Sequence, residues 1–245
     1  MWNPSQGNAR VPIDHPLSPG GSTLSILDAN ALLPPRLSDI LFDLHAVGLY
    51  SPRWTETIER EFIKNFGPIV FGRNKAEQRK IAQAPPDPKH VAAATHRLSC
   101  FRSAAGVEHE VLRYEEGEFT SKVPKQVHSG DIHVVSAALV VKHYADQLDK
   151  AYIVSNNLVH LAVSEVGKLG VTVISPGAFI DKLQSVAPMR VEVALMKSIS
   201  DLQAPQVTQA GLLAVLSIHG ASKAALHYSA KWSVAIPRRE PLVSR

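Results

Sequence analysis

The chain has 245 residues, of which 45% are hydrophobic and 20% charged, and this composition is typical of a folded domain with a sizeable core. Its one cysteine, Cys100, excludes an internal disulfide framework and a thiolate zinc cluster. No apolar run reaches the roughly 18 residues that a membrane span needs, and residues 1–22 lack the apolar stretch of a signal peptide. We therefore expect a cytoplasmic protein without a membrane segment, in which residues 1–22 form a flexible tail.

The net charge of +4 is unevenly distributed along the chain. Residues 23–185 carry 18 basic and 18 acidic side chains, whereas residues 186–245 carry seven basic and three acidic ones. A basic segment of this kind attracts phosphate polymers such as RNA. An ordinary solvated surface with a mild positive charge explains the same numbers equally well, so both interpretations stay open.

Strand-like and helix-like patterns alternate along the sequence. The apolar or extended segments that we predict to be strands are 23–28, 49–54, 107–114, 150–157 and 171–176. Segments with apolar residues at helical spacing, or with polar helix formers, lie at 36–48, 55–67, 75–83, 89–101, 129–143 and 158–170. We expect Gly67 to end the second of these helices and Ser129 to cap the fifth.

This alternation predicts an α/β fold with three layers, in which helices cover both faces of a mostly parallel central sheet. Residues 185–245 contain two further helical patterns, the second broken near Gly220. We expect this C-terminal extension to pack on the core of the domain. Dimerisation or the docking of a partner protein are the alternatives for its role.

Polar side chains follow the strands at the positions where parallel sheets bind ligands. Asp28 ends the first strand, Asn157 follows a later one, and Asp131 precedes a helix. Glu61 lies one turn into its own helix. Carboxylates that meet at one edge of a sheet repel each other unless a divalent cation neutralises them, and oxygen ligands suit Mg²⁺ or Mn²⁺.

Several segments resemble, in order, those of PIN domains, the metal-dependent ribonucleases typical of VapC-type toxins. The segments "ILDANALL", "RLSDILFDLHAVGLYSPRWTETIEREF", "SGDIHVVSAAL", "AYIVSNNLVHL" and "GVTVISPGAFI" carry the resemblance. It covers residues 23–184, and the longer branch of that family has a helical C-terminal extension like residues 185–245. The resemblance implies a PIN-like nuclease domain, a Mg²⁺ cofactor that Mn²⁺ can replace, an RNA substrate, an antitoxin partner and a homodimer.

Residue roles follow from the resemblance, position by position. It implies that Asp28, Glu61 and Asp131 bind the metal and carry catalysis. The implied supporting residues, which hold a carboxylate or a water or face the site, are Asn30, Asp39, His133, Ser155 and Asn157. Weakly supported contacts to the RNA backbone are Arg53, Lys122, Lys125 and the basic C-terminal segment.

One position departs from the family pattern. His160 stands where the family often has a further aspartate, so the site has three carboxylates and two close Mg²⁺ ions are harder to hold. The alternative hypothesis is therefore a PIN-like scaffold that binds RNA or a protein partner without efficient cleavage.

Simpler structural explanations exist for each candidate residue. Asp28 is a common type of turn or cap residue, Asp131 suits a helix N-terminus, and Glu61 suits a solvated helix face. A single histidine such as His133 is most often structural, and Trp54 suits the core. The glycine-rich nucleotide loops and the G-x-S-x-G elbow of other enzyme classes do not occur in the sequence.

Overall fold

Four parallel strands form one sheet in the computed structural model, which describes residues 22–145, 149–201 and 206–237. The strands are β1 (Thr23–Leu27), β2 (Ser51–Arg53), β3 (Lys150–Val154) and β4 (Val171–Ile174), in the order β2-β1-β3-β4. All five residues of β1 are buried, and so are four of the five residues of β3. This burial follows from helices on both faces of the sheet, which is why these strands are continuous apolar runs. The predicted three-layer α/β fold is confirmed.

Twelve α-helices surround and extend the sheet within the described residues. They are α1 (Ala29–Leu32), α2 (Pro35–Ala46), α3 (Glu56–Phe71), α4 (Lys75–Gln83), α5 (Pro88–Ala105), α6 (Gly117–Thr120), α7 (Ile132–Tyr144), α8 (Val163–Lys168), α9 (Pro176–Val186), α10 (Pro188–Asp201), α11 (Gln209–Ile218) and α12 (Ser222–Trp232). None of the helices in this part of the chain is long and apolar enough to cross a membrane.

The predicted strand at residues 107–114 was wrong. The chain there forms one 3₁₀ turn at Val107–His109, and an isolated bridge pairs Glu110 with Trp54, directly after β2. Arg113 has a φ of 65°, which turns the chain and is incompatible with an extended strand.

The predicted end of a helix at Gly67 was also wrong, because α3 continues to Phe71. Gly67 instead lies where α3 packs against α5. A Cβ atom at this position would lie 2.8 Å from Nδ1 of His90 on α5, so the glycine permits close packing of the two helices. The same residue type that ends many helices here serves helix packing.

Two loops at the carboxyl edge of the sheet, which carry His128 and His160, also differ from prediction. His128, and not Ser129, caps the turn before α7, since the Gly130 N–H donates to His128 Nδ1 at 3.2 Å. The predicted helix at 158–170 is split into a 3₁₀ turn (Leu158–Leu161) and α8, because Ala162 has a φ of 45°.

The C-terminal helices share the core of the sheet domain. On α10, Ser198 and Lys197 both donate to the Asp43 carboxylate of α2, while Leu195 is fully buried in the common apolar core. Lys197 and Lys231 form ion pairs with acidic side chains, which reduces the free positive charge of this segment. Three residues of the basic C-terminal segment, Arg238, Arg239 and Arg245, lie outside the described residues, and so do residues 1–21 of the tail predicted at 1–22.

Candidate metal site at the carboxyl edge of the sheet

Asp28 lies directly after β1, with its carboxylate buried between the ends of two strands. Its backbone N–H donates to the Val154 carbonyl at 3.1 Å, which continues the pairing of β1 with β3. Its Oδ2 atom accepts hydrogen bonds from Ser155 Oγ at 2.6 Å and from Asn30 Nδ2 at 2.5 Å. The side chain is held in one orientation by these two donors, and only 3% of the residue is exposed.

Asn30 connects the end of β1 to the loop after β3. Its Nδ2 lies 3.1 Å from Ser155 Oγ, and its Oδ1 accepts from the backbone N–H of Asn156 at 2.7 Å. The amide therefore fixes Asp28 and Ser155 relative to each other. Asn30 and Ser155, both predicted as supporting residues, lie against Asp28.

The pKa of the Asp28 carboxyl is raised above its ordinary value of 3.8. Burial is the largest cause, and the hydrogen bond from Ser155 opposes it by favouring the charged form. The negative charges of Asp131 and Glu61 raise the pKa further. The charges of Asp131 and Glu61 therefore act on the Asp28 carboxylate, and a cation beside it would offset that effect.

Asp131 occupies the last position of the turn that precedes α7, beside the loop after β3. Asn157 Nδ2 donates to its Oδ2 at 3.3 Å. The same oxygen lies 3.5 Å from Nδ1 of His160 and 3.9 Å from Nδ1 of His128. Asn157 thus supports Asp131, whereas Ser155 and Asn30 support Asp28.

His128 is a residue of this site that sequence reasoning missed. Its ring stacks on that of His160, with centroids 4.8 Å apart. The two histidines are 32 positions apart in the sequence, so no local spacing connects them. The one available signal is the position of His128 directly before the "SGD" turn.

Glu61 and His133 bring α3 and α7 together at the site. Glu61 Oε2 lies 3.6 Å from His133 Nε2, beyond an ordinary hydrogen bond. The Nε2 atom is buried, and no hydrogen-bond partner for it occurs among the described residues. A short movement of the side chain would let Glu61 accept a hydrogen bond from this nitrogen. Without that bond, the Glu61 carboxylate stays free to bind a cation.

Glu59, two residues before Glu61, has a different and structural role. Its carboxylate accepts from Trp54 Nε1 at 2.9 Å and from Arg102 Nε at 2.8 Å. Burial alone would raise the pKa of Glu59, but the hydrogen bonds from Arg102 and Trp54 lower it below the ordinary value. Trp54 is 1% exposed and belongs to the core.

The remaining predicted residues are not gathered at the site. Asp39 forms ion pairs with Arg97 and Arg36, and none of the contacts within the described ranges joins it to the three carboxylates. Arg53 is largely buried in an ion pair with Glu108, at 2.9 Å. Its side chain is therefore committed within the protein and poorly placed to bind a phosphate.

Two predicted lysines remain available to solvent. Lys122 lies 3.7 Å from Glu118 in an exposed pair, which contributes little and breaks easily. Lys125 is exposed in the loop before the "SGD" turn. Both precede Asp131 by six to nine positions, so they lie on the chain segment that leads into the site.

The donor set fits a divalent cation. Carboxylate oxygens such as those of Asp28, Asp131 and Glu61 are ligands of the kind that Mg²⁺ and Mn²⁺ prefer. Among the described residues, however, the donor atoms that lie within 4.8 Å of one another are those of His128, Asp131 and His160. Hydrogen bonds from Ser155 and Asn157 orient two of these carboxylates, as outer residues do in metal sites generally. The imidazoles of His128 and His160 add nitrogen donors on the Asp131 side.

Comparison with known proteins adds no relative. The chain matches no protein-family model, no curated protein and no solved structure. The functional argument therefore depends on the geometry described above and on the motifs in the sequence.

Proposed function

We propose that the protein is a Mg²⁺-dependent endoribonuclease of the PIN type. The observation that carries this proposal is the buried Asp28 carboxylate, whose pKa is raised by burial and by the nearby Asp131 and Glu61. A protein gains no stability from placing negative charges near a buried carboxylate, so the arrangement favours a role in binding a cation. Its position at the carboxyl edge of a parallel sheet is the usual place for ligands in such folds.

In the proposed mechanism Asp28, Asp131 and Glu61 would hold the cation. When bound, a divalent cation supplies charge stabilisation for the phosphate and activates water for attack on phosphorus. Ser155 and Asn30 fix the orientation of the Asp28 carboxylate, because both donate to its Oδ2.

Cleavage then proceeds by hydrolysis of one phosphodiester bond. Water adds to phosphorus, the bond to the 3′-oxygen breaks, and the products carry a 3′-hydroxyl and a 5′-phosphate. Asn157 keeps the Asp131 carboxylate in place through its Nδ2 hydrogen bond. The exposed Lys122 and Lys125 are the proposed contacts to the RNA backbone, where each phosphate contact adds salt-dependent affinity.

The resemblance to VapC-type toxins adds a biological role to the proposal. The protein would be the toxin of a toxin–antitoxin pair, act as a homodimer in the cytoplasm, and be held inactive by an antitoxin. These assignments follow from the motifs alone.

A second candidate function is favoured by the two imidazoles beside Asp131. A carboxylate in the place of His160 would strengthen Mg²⁺ binding. A histidine at that position makes the site weaker for this ion. The alternative is a PIN-like scaffold that binds RNA or a protein partner and cleaves inefficiently. RNA binding without cleavage, at saturating Mg²⁺ and Mn²⁺, would establish this alternative.

The test is incubation of the purified protein with a mixed cellular RNA pool in Mg²⁺, in Mn²⁺ and in EDTA. Asp28→Asn and Asp131→Asn are the test variants. Asp201→Asn is the matched control, since that exposed carboxylate pairs with Lys197 on α10. We expect metal-dependent cuts by the wild type and the control, and none by the two test variants. Equal cutting by Asp28→Asn would refute the proposal.

A further inference from the structure

Three side chains of types that bind metal ions, one of them Asp131, lie close together on the side of the site that faces solvent. The donor atoms of His128, Asp131 and His160 all lie within 4.8 Å of one another. They come from two loops that meet only in the folded chain. Two imidazoles and one carboxylate form a donor set different from the three carboxylates around Asp28.

Nδ1 of each histidine faces this place and lies beside a hydrogen-bond donor that an incoming ion would displace. Asn157 Nδ2, an amide donor, lies 3.0 Å from His160 Nδ1. His128 Nδ1 accepts from the Gly130 N–H at 3.2 Å. An unprotonated ring nitrogen is the form of histidine that binds a metal ion.

The backbone holds the two loops together before any ion binds. The His128 N–H donates to the His160 carbonyl at 2.9 Å, and the Asp131 N–H donates to the His128 carbonyl at 2.8 Å. The side chains of His128 and His160 are 59% and 48% exposed. An ion can therefore enter from solvent, and small rotations of these side chains would bring the nitrogens to bonding distance.

We propose that His128, Asp131 and His160 form a binding site for one borderline transition-metal ion of the Zn²⁺ type. Imidazole favours Zn²⁺ and Co²⁺ over Mg²⁺, which prefers oxygen. A half-turn of the Asn157 amide would present its Oδ1 as a fourth donor, because its Nδ2 already faces both Asp131 and His160.

This site stands on its own geometry and does not depend on nuclease activity. It shares Asp131 with the proposed Mg²⁺ site, so an ion held by the histidines draws one carboxylate away from that site. The two proposals can be tested separately, because Zn²⁺ binding is measured directly and needs no RNA.

The experiment is calorimetric titration of tag-free, chelator-treated protein with Zn²⁺ and with Mg²⁺, and titration with Co²⁺ followed by visible absorption. We expect one Zn²⁺ per chain, bound more tightly than Mg²⁺. His128→Asn and His160→Asn should each weaken Zn²⁺ affinity at least about tenfold, the loss that even outer-residue changes cause in metal sites.

The matched control is His96→Asn. His96 is an exposed histidine whose Nε2 lies 4.0 Å from Cys100 Sγ, and this pair is the competing place for a zinc ion. We expect His96→Asn to bind Zn²⁺ like the wild type. Circular dichroism spectra would check that the variants, whose substituted side chains are exposed, stay folded.

Two results would overturn the proposal. One is Zn²⁺ binding that is absent, or no tighter than Mg²⁺ binding, in the wild type. The other is binding that the His128→Asn/His160→Asn double variant retains, or that His96→Asn abolishes. Zinc binding without RNA cleavage would contradict only the nuclease proposal, and cleavage without zinc binding would contradict only this one.

Discussion

The substitution Asp28→Asn should make the metal-free protein at least as stable as the wild type at pH 7. The folded state raises the pKa of Asp28 above 3.8, so the folded chain holds this proton more tightly than the unfolded chain. The free energy of unfolding therefore falls as the pH rises from about 3.8 towards the raised value, and the penalty stays constant above it. Asparagine removes the charge and keeps an oxygen that accepts from Ser155.

Mg²⁺ binding should reverse this order, so that the wild type becomes more stable than Asp28→Asn. A ligand present at 100 times its Kd stabilises the folded state by about 2.7 kcal/mol. For a chain of 245 residues, each kcal/mol moves Tm by about 2–4 °C, so the wild type should gain about 5–11 °C in Mg²⁺. Asp28→Asn should gain almost nothing, because it lacks the central ligand.

Thermal unfolding at pH 7, in EDTA and across a Mg²⁺ titration, measures both effects. Repeating the EDTA series below about pH 3.8 should shrink the difference between the two proteins, because the penalty for the ionised Asp28 carboxylate is lost there. A metal-free variant less stable than the wild type by 1 kcal/mol or more, or a Mg²⁺ shift equal in both, would refute the electrostatic reasoning.

Four further substitutions separate the site from its scaffold. Ser155→Ala removes a donor to the charged Asp28 and should cost about 1.5–3 kcal/mol of stability; an unchanged urea midpoint would contradict this. Glu61→Gln should reduce RNA cleavage with little loss of stability. Glu59→Gln should instead cost about 1 kcal/mol, since its arginine partner is half exposed, and should leave cleavage unchanged; the reverse result would exchange their roles. Leu195→Ala, in the fully buried face of α10, should cost about 2–5 kcal/mol, and urea unfolding without that loss would show that α10 is independent of the core.

The arrangement around Asp28 could be predicted because simple rules govern it. Strand ends in a parallel sheet share one edge, so Asp28 and the polar residues after β3 were expected to be neighbours once their strands were identified, and the resemblance to PIN domains implied Ser155 among them. The contacts of Asn30 with both residues follow from its place just beyond the strand. The sequence alone was therefore enough to predict that these residues lie near one another.

Other features depend on the three-dimensional fold and left no local pattern. His128 reaches Asp131 and His160 because a backbone hydrogen bond joins two distant loops. Gly67 resembles a helix end, but the position of His90 on another helix explains it. Glu59 and Glu61 have the same chemistry in the sequence, and the hydrogen bonds from Trp54 and from Arg102 on α5 make the first one structural.

The most direct test of the account is anomalous diffraction from crystals grown with Mn²⁺. The account predicts an anomalous peak bonded to carboxylate oxygens of Asp28 and Asp131, with Glu61 completing the set directly or through water. A peak confined to His128 and His160, or no peak near Asp28 at saturating Mn²⁺, would contradict the claim that these three carboxylates form a cation site.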